Sequence, residues 1–191
     1  MGISTLFRYW ERISRREDNS IEFWQDFVSS FYGPASFSQD SIVMKLALWN
    51  SHYGENRTFE LSATLLARFY KVIFDSGVVD VLFAMEFAKE YYSTGMMFVD
   101  CPRAAIIYRF DSDIEVHCKG HLRVSLSASG RIHLWEFHTK QHTELLSRAA
   151  IEARMRKADP GTPFTLPPSP VNEFGITINM MRCLEVRLFL F

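Results

Sequence analysis

Hydrophobic residues recur at helical spacing in two separate parts of the chain. The first follows Asn19, an N-cap candidate with Glu22 three positions on, and carries Phe23, Trp24, Phe27, Val28 and Phe31. The second is bounded by Ser62 and Gly77 and carries Leu65, Leu66, Phe69, Val72 and Ile73. Both are therefore predicted to be helices that bury one face, and a further helix is predicted from Thr143 to about Lys157.

The intervening sequence has the pattern of strands. Residues 42–49 are apolar at nearly every position, which is typical of a strand covered on both faces, and 58–61 form a short return strand. Residues 81–87 alternate as a strand does, although 84–90 also have good helix propensity. A meander is predicted beyond them, with turns at 102–103, 111–113 and 127–130 between strands at 96–101, 104–110, 114–126 and 131–140.

The segment Ile114–Leu126 alternates without interruption and so has one buried and one wet face. At about 3.3 Å per residue it would reach about 43 Å, which is too long for a flat sheet, so we expect it to bend at Gly120. In the next strand the apolar phase changes sides between Leu134 and Trp135, which indicates a bulge or burial on both faces. The meander is therefore expected to be a strongly curved sheet.

Composition divides the chain into a domain with appended pieces. Residues 1–19 are rich in arginine and acidic residues and are expected to be an N-terminal extension to a domain at 20–158. Residues 159–170 hold five of the seven prolines and are predicted to be a linker. The apolar tail at 171–191 either docks back on the domain or meets another chain, and the sequence leaves both open.

Charge, cysteine content and chain length exclude several classes. The net charge is −1 and 48% of the 191 residues are hydrophobic, which argues against disorder and against direct nucleic-acid binding. The three cysteines are widely spaced, which favours a reducing compartment, and apolar runs are too short to span a membrane. Aromatic residues reach 15% of the chain, so the core is unusually aromatic or apolar surface is left for a partner.

Candidate chemical groups do not form a recognisable site. Alternation places Cys118 on the opposite strand face from His117 and His121, so a metal site is not predicted there. His138 and His142 have helical ligand spacing but lie on a predicted strand and its end. Asp100, His133 and Tyr108 are nominal acid–base candidates if the sheet closes into a cone with an open mouth, and nothing in the sequence ties them together. No cofactor or metal is expected, and phosphate-loop and hydrolase motifs are not found in the sequence.

An ordered set of motifs resembles the conserved domain of the LIM-domain-binding / Chip / Seuss family of transcriptional co-regulators. The resemblance covers 21–148, with a fainter echo at 175–186. Its matching segments are 23–31, 68–77, 98–101 and 131–145, of which the last is the most specific. The motif residues with expected structural roles are Phe23, Trp24, Asp26, Arg68, Phe69, Ile73, Phe74, Gly77, Arg131, Trp135, Phe137, His142 and Glu144.

The resemblance implies an α+β fold in which a curved antiparallel sheet wraps around helices, the NTF2-like cone. It implies a non-enzymatic, homodimeric nuclear scaffold that links DNA-bound transcription factors to LisH-containing LUFS-type co-regulators. The start of the family's segment for that partner resembles Thr177, Ile178, Asn179, Met180, Met181, Arg182 and Leu184. The family's segment normally continues beyond this point, and its separate LIM-binding peptide is not visible in the sequence. The alternative is a small-molecule-binding or enzymatic cone domain, which an open polar pocket would favour and a pocket plugged by Phe and Trp would not.

Overall fold

A computed structural model of the chain describes residues 1–33, 41–159 and 161–186. This part of the chain contains both helices and strands, with five strands following one another after the third helix. In chain order they are α1 (Gly2–Ser14), α2 (Ile21–Phe31), β1 (Ile42–Asn50), β2 (Glu55–Ser62), α3 (Ala63–Asp75), β3 (Val78–Glu86), β4 (Lys89–Ser93), β5 (Met96–Phe110), β6 (Ile114–Leu126), β7 (Ile132–Leu146), α4 (Arg148–Lys157) and α5 (Ile178–Glu185).

The strands form one sheet in the order β2-β1-β7-β6-β5-β3, and β4 pairs with β5 beside β3. Neighbours are antiparallel except for β1 and β7, which are parallel. Helices α1, α2 and α3 contribute to one hydrophobic core with the inner face of the sheet. The predicted α+β class and the NTF2-like cone are confirmed, with the parallel β1–β7 pair as a departure from a purely antiparallel sheet.

Bulges produce the expected curvature. Lys119 pairs with Gln141 but Gly120 pairs with Thr139, which leaves Lys140 as an extra residue in β7. A Cβ at Gly120 would lie 2.1 Å from the carbonyl oxygen of His138, so the close approach at the predicted bend requires glycine. A second shift, between the β6 residues Ser125 and Leu126, accounts for the phase change at the start of β7.

The predicted turn at 102–103 is wrong. Residues 96–110 form one continuous strand, β5, with a register shift between Cys101 and Ala104. Strand β5 pairs with β6 on both sides of this shift, so Pro102 and Arg103 form an irregularity inside the strand instead of reversing its direction. The structure also decides between strand and helix in the region of residues 81–90, because β3 is a strand to Glu86 and β4 follows as a second strand.

The helices α2 and α3 follow the sequence pattern closely. The Ser20 hydroxyl accepts from the Phe23 N–H, and the Ser62 hydroxyl accepts from the Leu65 N–H. Gly77 has φ of 90°, the left-handed conformation expected after the end of α3. Ser20 caps α2, one residue after the predicted Asn19.

Residues 1–19 do not lie outside the domain as an extension. Within them α1 buries Leu6, Tyr9, Trp10 and Ile13 in the same core as α2 and α3. These positions recur at helical spacing and form an apolar stripe, while the arginine and glutamate residues that dominate the composition lie around it. The Trp10 ring stacks on Phe83 of β3 with 4.9 Å between centroids, so α1 covers this part of the sheet.

The chain after residue 140 also departs from expectation. Thr143 does not begin a helix, because β7 continues to Leu146 and its residues 143–146 pair with 114–117 of β6. The Ser147 hydroxyl then caps α4. The predicted linker at 159–170 has neither helix nor strand where it is described. The tail docks back through α5, which packs on α3, while residues 187–191, including Phe189 and Phe191, lie outside the described residues.

Candidate functional site

The interior of the cone is filled by aromatic side chains. Trp24, Trp135, Tyr9, Tyr32 and Phe27 are among its largest buried groups. The Tyr9 hydroxyl is hydrogen-bonded to Tyr32, with 3.2 Å between the oxygens, and also to Tyr70. Burial raises the pKa of Tyr9 well above its usual value, and the neighbouring Tyr32 and Tyr70 raise it further. The interior therefore presents neutral phenols that bond one another, a packing arrangement that satisfies buried polar groups.

The nominal acid–base residues are not assembled into one site. Asp100 lies on the outer face of the sheet, where His121 Nε2 and Arg123 Nε approach its Oδ1 at 2.8 and 3.2 Å. Burial raises the pKa of Asp100, but these partners outweigh burial and the net shift is downward. Tyr108 is buried in the core and His133 is exposed at the start of β7. An ionised carboxylate bonded to His121 and Arg123 outside the cone is not a general base at a cavity mouth.

The histidine and cysteine pairs weighed for metal binding have other surroundings. His117 Nε2 is 2.9 Å from the Glu115 carboxylate, whereas Cys118 is buried in the core, where burial raises its pKa to about 12. His138 Nε2 is 3.0 Å from the Asn56 side-chain oxygen. Within residues 1–33, 41–159 and 161–186, no group of three or more His, Cys, Asp or Glu side chains could hold a metal ion.

The first family-motif residues join α2 to α3. The Trp24 ring stacks on Tyr70 and Phe74, with centroids 5.0 and 5.5 Å apart, and Phe23 packs on the edge of Trp24. Phe69 and Ile73 are buried on the same side of α3. By contrast Asp26 and Arg68 are exposed.

The β7 motif residues hold the helices and the tail. Arg131 Nη1 donates to the carbonyl oxygens of Ser29 and Ser30, at 2.6 and 2.8 Å, and so satisfies acceptors at the end of α2. Trp135 and Phe137 are buried on the inner face.

Further along β7, His142 and Glu144 contact the tail. A Cβ at Gly175 would lie 2.6 Å from the His142 ring, and burial lowers the pKa of His142. The Glu144 carboxylate accepts from the Ser169 hydroxyl at 2.6 Å. These contacts show what two of the predicted motif residues do in the fold.

The segment predicted to meet a partner packs on α3, which buries some of its residues and leaves the others exposed. Met180, Met181 and Leu184 are buried, and Thr177 caps α5 by accepting from the Met180 N–H at 3.2 Å. The remaining predicted positions, Ile178, Asn179 and Arg182, are exposed. Docking therefore leaves the outer half of α5 exposed.

A groove between α3 and α5 adjoins that outer half. It has a volume of about 360 Å³ and is lined by Leu65, Arg68, Val72, Asp75, Ser76, Asn179, Arg182, Cys183 and Val186. Its apolar lining comes from Leu65, Val72 and Val186, and its two arginines belong to different helices. Burial raises the pKa of the Cys183 thiol although Arg68 opposes this, so Cys183 is a neutral, weakly reactive lining group. Arg57 of β2 fixes α5 beside the groove through an ion pair with Glu185 at 2.9 Å.

The sequence prediction missed the contribution of α1 and the position of the groove. Tyr9 was assigned to an extension, although the spacing of Leu6, Tyr9, Trp10 and Ile13 is the signal that could have placed it. The groove could not have been found in this way, because it forms only when α5 returns to α3 across the tertiary structure. Within the described ranges, no helix is both long and apolar enough to cross a membrane.

The fold and its filled interior define a cone domain of the NTF2-like kind. The family model of the LIM-domain binding protein matches residues 4–164, and the chain therefore belongs to the LIM-domain binding protein family. The match begins inside α1, in agreement with the place of that helix in the core.

Curated relatives of this chain include transcriptional regulators. It is 27% identical over 194 residues to the transcriptional activator ptaB of Aspergillus fumigatus, covering 91% of this chain and 26% of the relative. It is 29% identical over 164 residues to the transcriptional corepressor SEUSS of Arabidopsis thaliana, covering 78% and 19%. Mouse LIM domain-binding protein 2 is 26% identical over 151 residues, covering 77% and 38%. The chain thus spans well under half the length of these relatives.

Among solved structures, a protein of unknown function from Mycobacterium tuberculosis has a TM-score of 0.51 to this chain. The two are 10% identical, and the alignment covers 96% of this chain and 86% of the other. At this identity the likeness supports a shared fold and nothing finer.

Proposed function

We propose that this chain is a non-enzymatic, self-associating scaffold domain of a transcriptional co-regulator, working in the nucleus. The relatives named as a transcriptional activator and a corepressor support the co-regulator role. The observation that carries the non-enzymatic part is the aromatic core between the helices and the sheet, in which Trp24, Trp135 and the hydrogen-bonded Tyr9–Tyr32–Tyr70 cluster are buried. An open polar pocket would have favoured the alternative of a small-molecule-binding or enzymatic domain.

The proposed mechanism is an increase in effective concentration. A dimer with a second site for another protein links events that would otherwise be separate, without new chemistry. Light scattering of the chain at tens of micromolar is expected to give a dimer, because ordinary specific interfaces have micromolar or tighter dissociation constants. A strictly monomeric species at that concentration would contradict self-association.

We assign the second site to the outer half of α5 and the groove beside it. The groove is apolar at Leu65, Val72 and Val186 and is edged by Arg68 and Arg182, while its one acidic lining residue, Asp75, is paired with Lys71 at 2.7 Å. An amphipathic helix with apolar side chains flanked by carboxylates fits this chemistry. The proposed partner is a LUFS-type co-regulator domain containing a LisH motif, and the proposed contacts are Ile178, Asn179 and Arg182.

Deleting 171–191 is a poor test of this site, because the deletion would also remove buried Phe174, Ile176, Met180, Met181 and Leu184 from the core. Charge reversal of an exposed residue is better. Arg182→Glu is expected to weaken binding of a purified LUFS domain by about tenfold in calorimetric titration, because a rim cation facing carboxylates becomes repulsive.

Arg156→Glu on exposed α4 is the matched control and is expected to bind normally. Equal thermal midpoints for the variants would show that the fold is intact. Unchanged LUFS affinity in Arg182→Glu would refute the assigned site, and a fluorescent fusion excluded from nuclei would refute the nuclear role.

A further inference from the structure

The sheet edge formed by β3 and β4 is closed along one part and open along the other. Along β3, Arg16 Nη2 donates to the Val79 carbonyl oxygen at 2.9 Å and Ser14 Oγ donates to that of Val81 at 3.3 Å. These contacts occupy edge acceptors with side chains from α1 and the residues after it. Every residue of β4 is exposed, and in the described ranges no backbone group of β4 has a partner on the side away from β5. An open edge of this kind is a template for another strand.

We propose that β4 is the self-association strand of this protein, pairing antiparallel with β4 of a second copy about a twofold axis at Tyr91. The inference rests on the proposed self-association and names the surface that performs it. The paired strands would join the two sheets into one continuous sheet. In such an isologous contact the same residues serve both copies.

The direction of the backbone groups fits this register. Alternate residues of an antiparallel strand turn both N–H and C=O toward the same neighbour. The Val81 carbonyl of β3 faces away from β5. When the alternation is followed from β3 through the pairings with β5 and β6 to β4, the N–H and C=O groups of β4 that point away from β5 are those of Glu90 and Tyr92. A twofold axis at Tyr91 sets Glu90 of one copy opposite Tyr92 of the other, so these outward groups can bond one another.

The charges of β4 are compatible with self-pairing. In this register Lys89 faces Ser93 and Glu90 faces Tyr92, so no like charges are directly opposed. The Glu90 carboxylate already accepts from the Ile3 N–H and lies 3.2 Å from the Met1 amino group, which offsets its charge. A strand of like-charged residues would have repelled its own copy.

The exposed aromatic rings also find partners in the pair. Tyr91 is 50% exposed and stacks on Phe98 with 5.3 Å between centroids, so the axis brings a second such stack beside it on the outer face. Tyr92 is 70% exposed, and the register places it opposite Glu90 of the other copy. These contacts would remove apolar surface that the single chain leaves in water.

The test uses the full chain with Cys183→Ser as background, because Cys101 and Cys118 are buried. Tyr91→Cys is expected to form a disulfide-linked dimer under mild oxidation, since the pair at the axis is non-hydrogen-bonded and its two Cβ atoms therefore lie at the near end of the cross-strand range, about 4.5 Å apart, which is within reach of a disulfide. Tyr53→Cys, in the exposed β1–β2 turn, is the matched control and is expected to stay unlinked.

A second pair of variants measures the backbone bonds. Tyr92→Pro removes the outward N–H from an edge strand, where proline is tolerated, and is expected to weaken self-association by about tenfold or more in sedimentation equilibrium. Tyr92→Phe keeps the N–H and is expected to self-associate as the parent does. Equal thermal midpoints would show that all variants fold.

The outcomes separate this inference from the proposed function. A dimeric parent that Tyr92→Pro leaves unchanged, with no Tyr91→Cys cross-link, overturns the β4 interface but not self-association. A monomeric parent overturns both, and the open edge would then be available to a strand from a different protein.

Discussion

Replacing Leu6 with alanine tests whether α1 belongs to the core. Leu6 has 0% of its surface exposed, whereas its neighbour Phe7 is 59% exposed on the same helix. Alanine is the best helix former, so neither Leu6→Ala nor Phe7→Ala weakens α1 through intrinsic propensity. The difference between the two variants therefore reports burial alone.

The expected magnitude follows from the lost contacts. Leu6→Ala removes three buried carbon groups at about 0.8 kcal/mol each, or about 2.4 kcal/mol of transfer free energy. The cavity left against rigid neighbours raises the total loss of unfolding free energy to about 3–5 kcal/mol. Phe7→Ala loses only the edge contact of its ring with Trp10, whose centroid is 5.8 Å away, so its expected cost is below about 1 kcal/mol.

Urea denaturation followed by tryptophan fluorescence measures both values. All proteins are compared at one concentration, because self-association makes the apparent stability depend on concentration. If residues 1–19 were an extension outside the domain, Leu6→Ala would match the parent within about 0.5 kcal/mol. A cost that small, or an equal cost for Phe7→Ala, would refute the packing argument for α1.

Three further predictions concern the bend, the end of α2 and the anchor of α1. Gly120→Ala should lower the free energy of unfolding by more than about 2 kcal/mol in urea denaturation, because its Cβ would overlap the His138 carbonyl oxygen, and a near-neutral result would refute the close approach. Arg131→Met, just before β7, should cost about 1 kcal/mol by removing a donor to the last carbonyls of α2, whereas the control Lys140→Met, within β7, should cost less than half of that in the same assay. The hydrogen bond from the Ile3 N–H lowers the pKa of Glu90 and outweighs the opposite effect of burial. Ionised Glu90 therefore stabilises the fold above the unfolded carboxyl pKa of about 4.3. This contribution is lost as the pH falls through the lower pKa of Glu90 in the folded state. Thermal melts from pH 6 to about 2.5 should therefore show a smaller loss for Glu90→Gln than for the parent, and parallel curves would contradict the anchor.

The parts of the fold that were predicted correctly are those decided by local pattern. The cap at Ser62 and the left-handed Gly77 lie within a few residues of the helix that they bound, and the cap of α2 at Ser20 differs by one residue from the predicted Asn19. The bend at Gly120 followed from the length of the strand and from its glycine, whereas the unbroken alternation argued against a bulge there, and the extra residue, Lys140, lies in the partner strand β7. Each of these features depends on physical effects that act over one or two helical turns or one strand.

The errors arose where distant contacts override local composition. Pro102 reads as a turn, but β5 continues through it because β6 pairs on both sides of the irregularity. Thr143 reads as a helix start, but pairing with His117 keeps it in β7. The charged residues of α1 dominate its composition, so its apolar stripe was overlooked. The tail docks because α5 packs on α3, a helix that lies far away in sequence. The groove beside α5 is lined by residues of both α3 and α5, so its position could not be predicted from local sequence.

The parallel pairing of β1 with β7 also sets the order in which the protein can fold. Met44 pairs with Trp135, so β1, which is made before β7, has no partner on that side until β7 has emerged. Closing such a long loop before its contacts form slows folding and leaves intermediate states with unpaired strand edges. During synthesis β1 and β2 can form a hairpin early, but the side of β1 that pairs with β7 stays unpaired until β7 has been made. The nascent chain is thus most vulnerable to aggregation between the completion of β1 and the arrival of Phe137, an interval in which chaperone binding would be most effective.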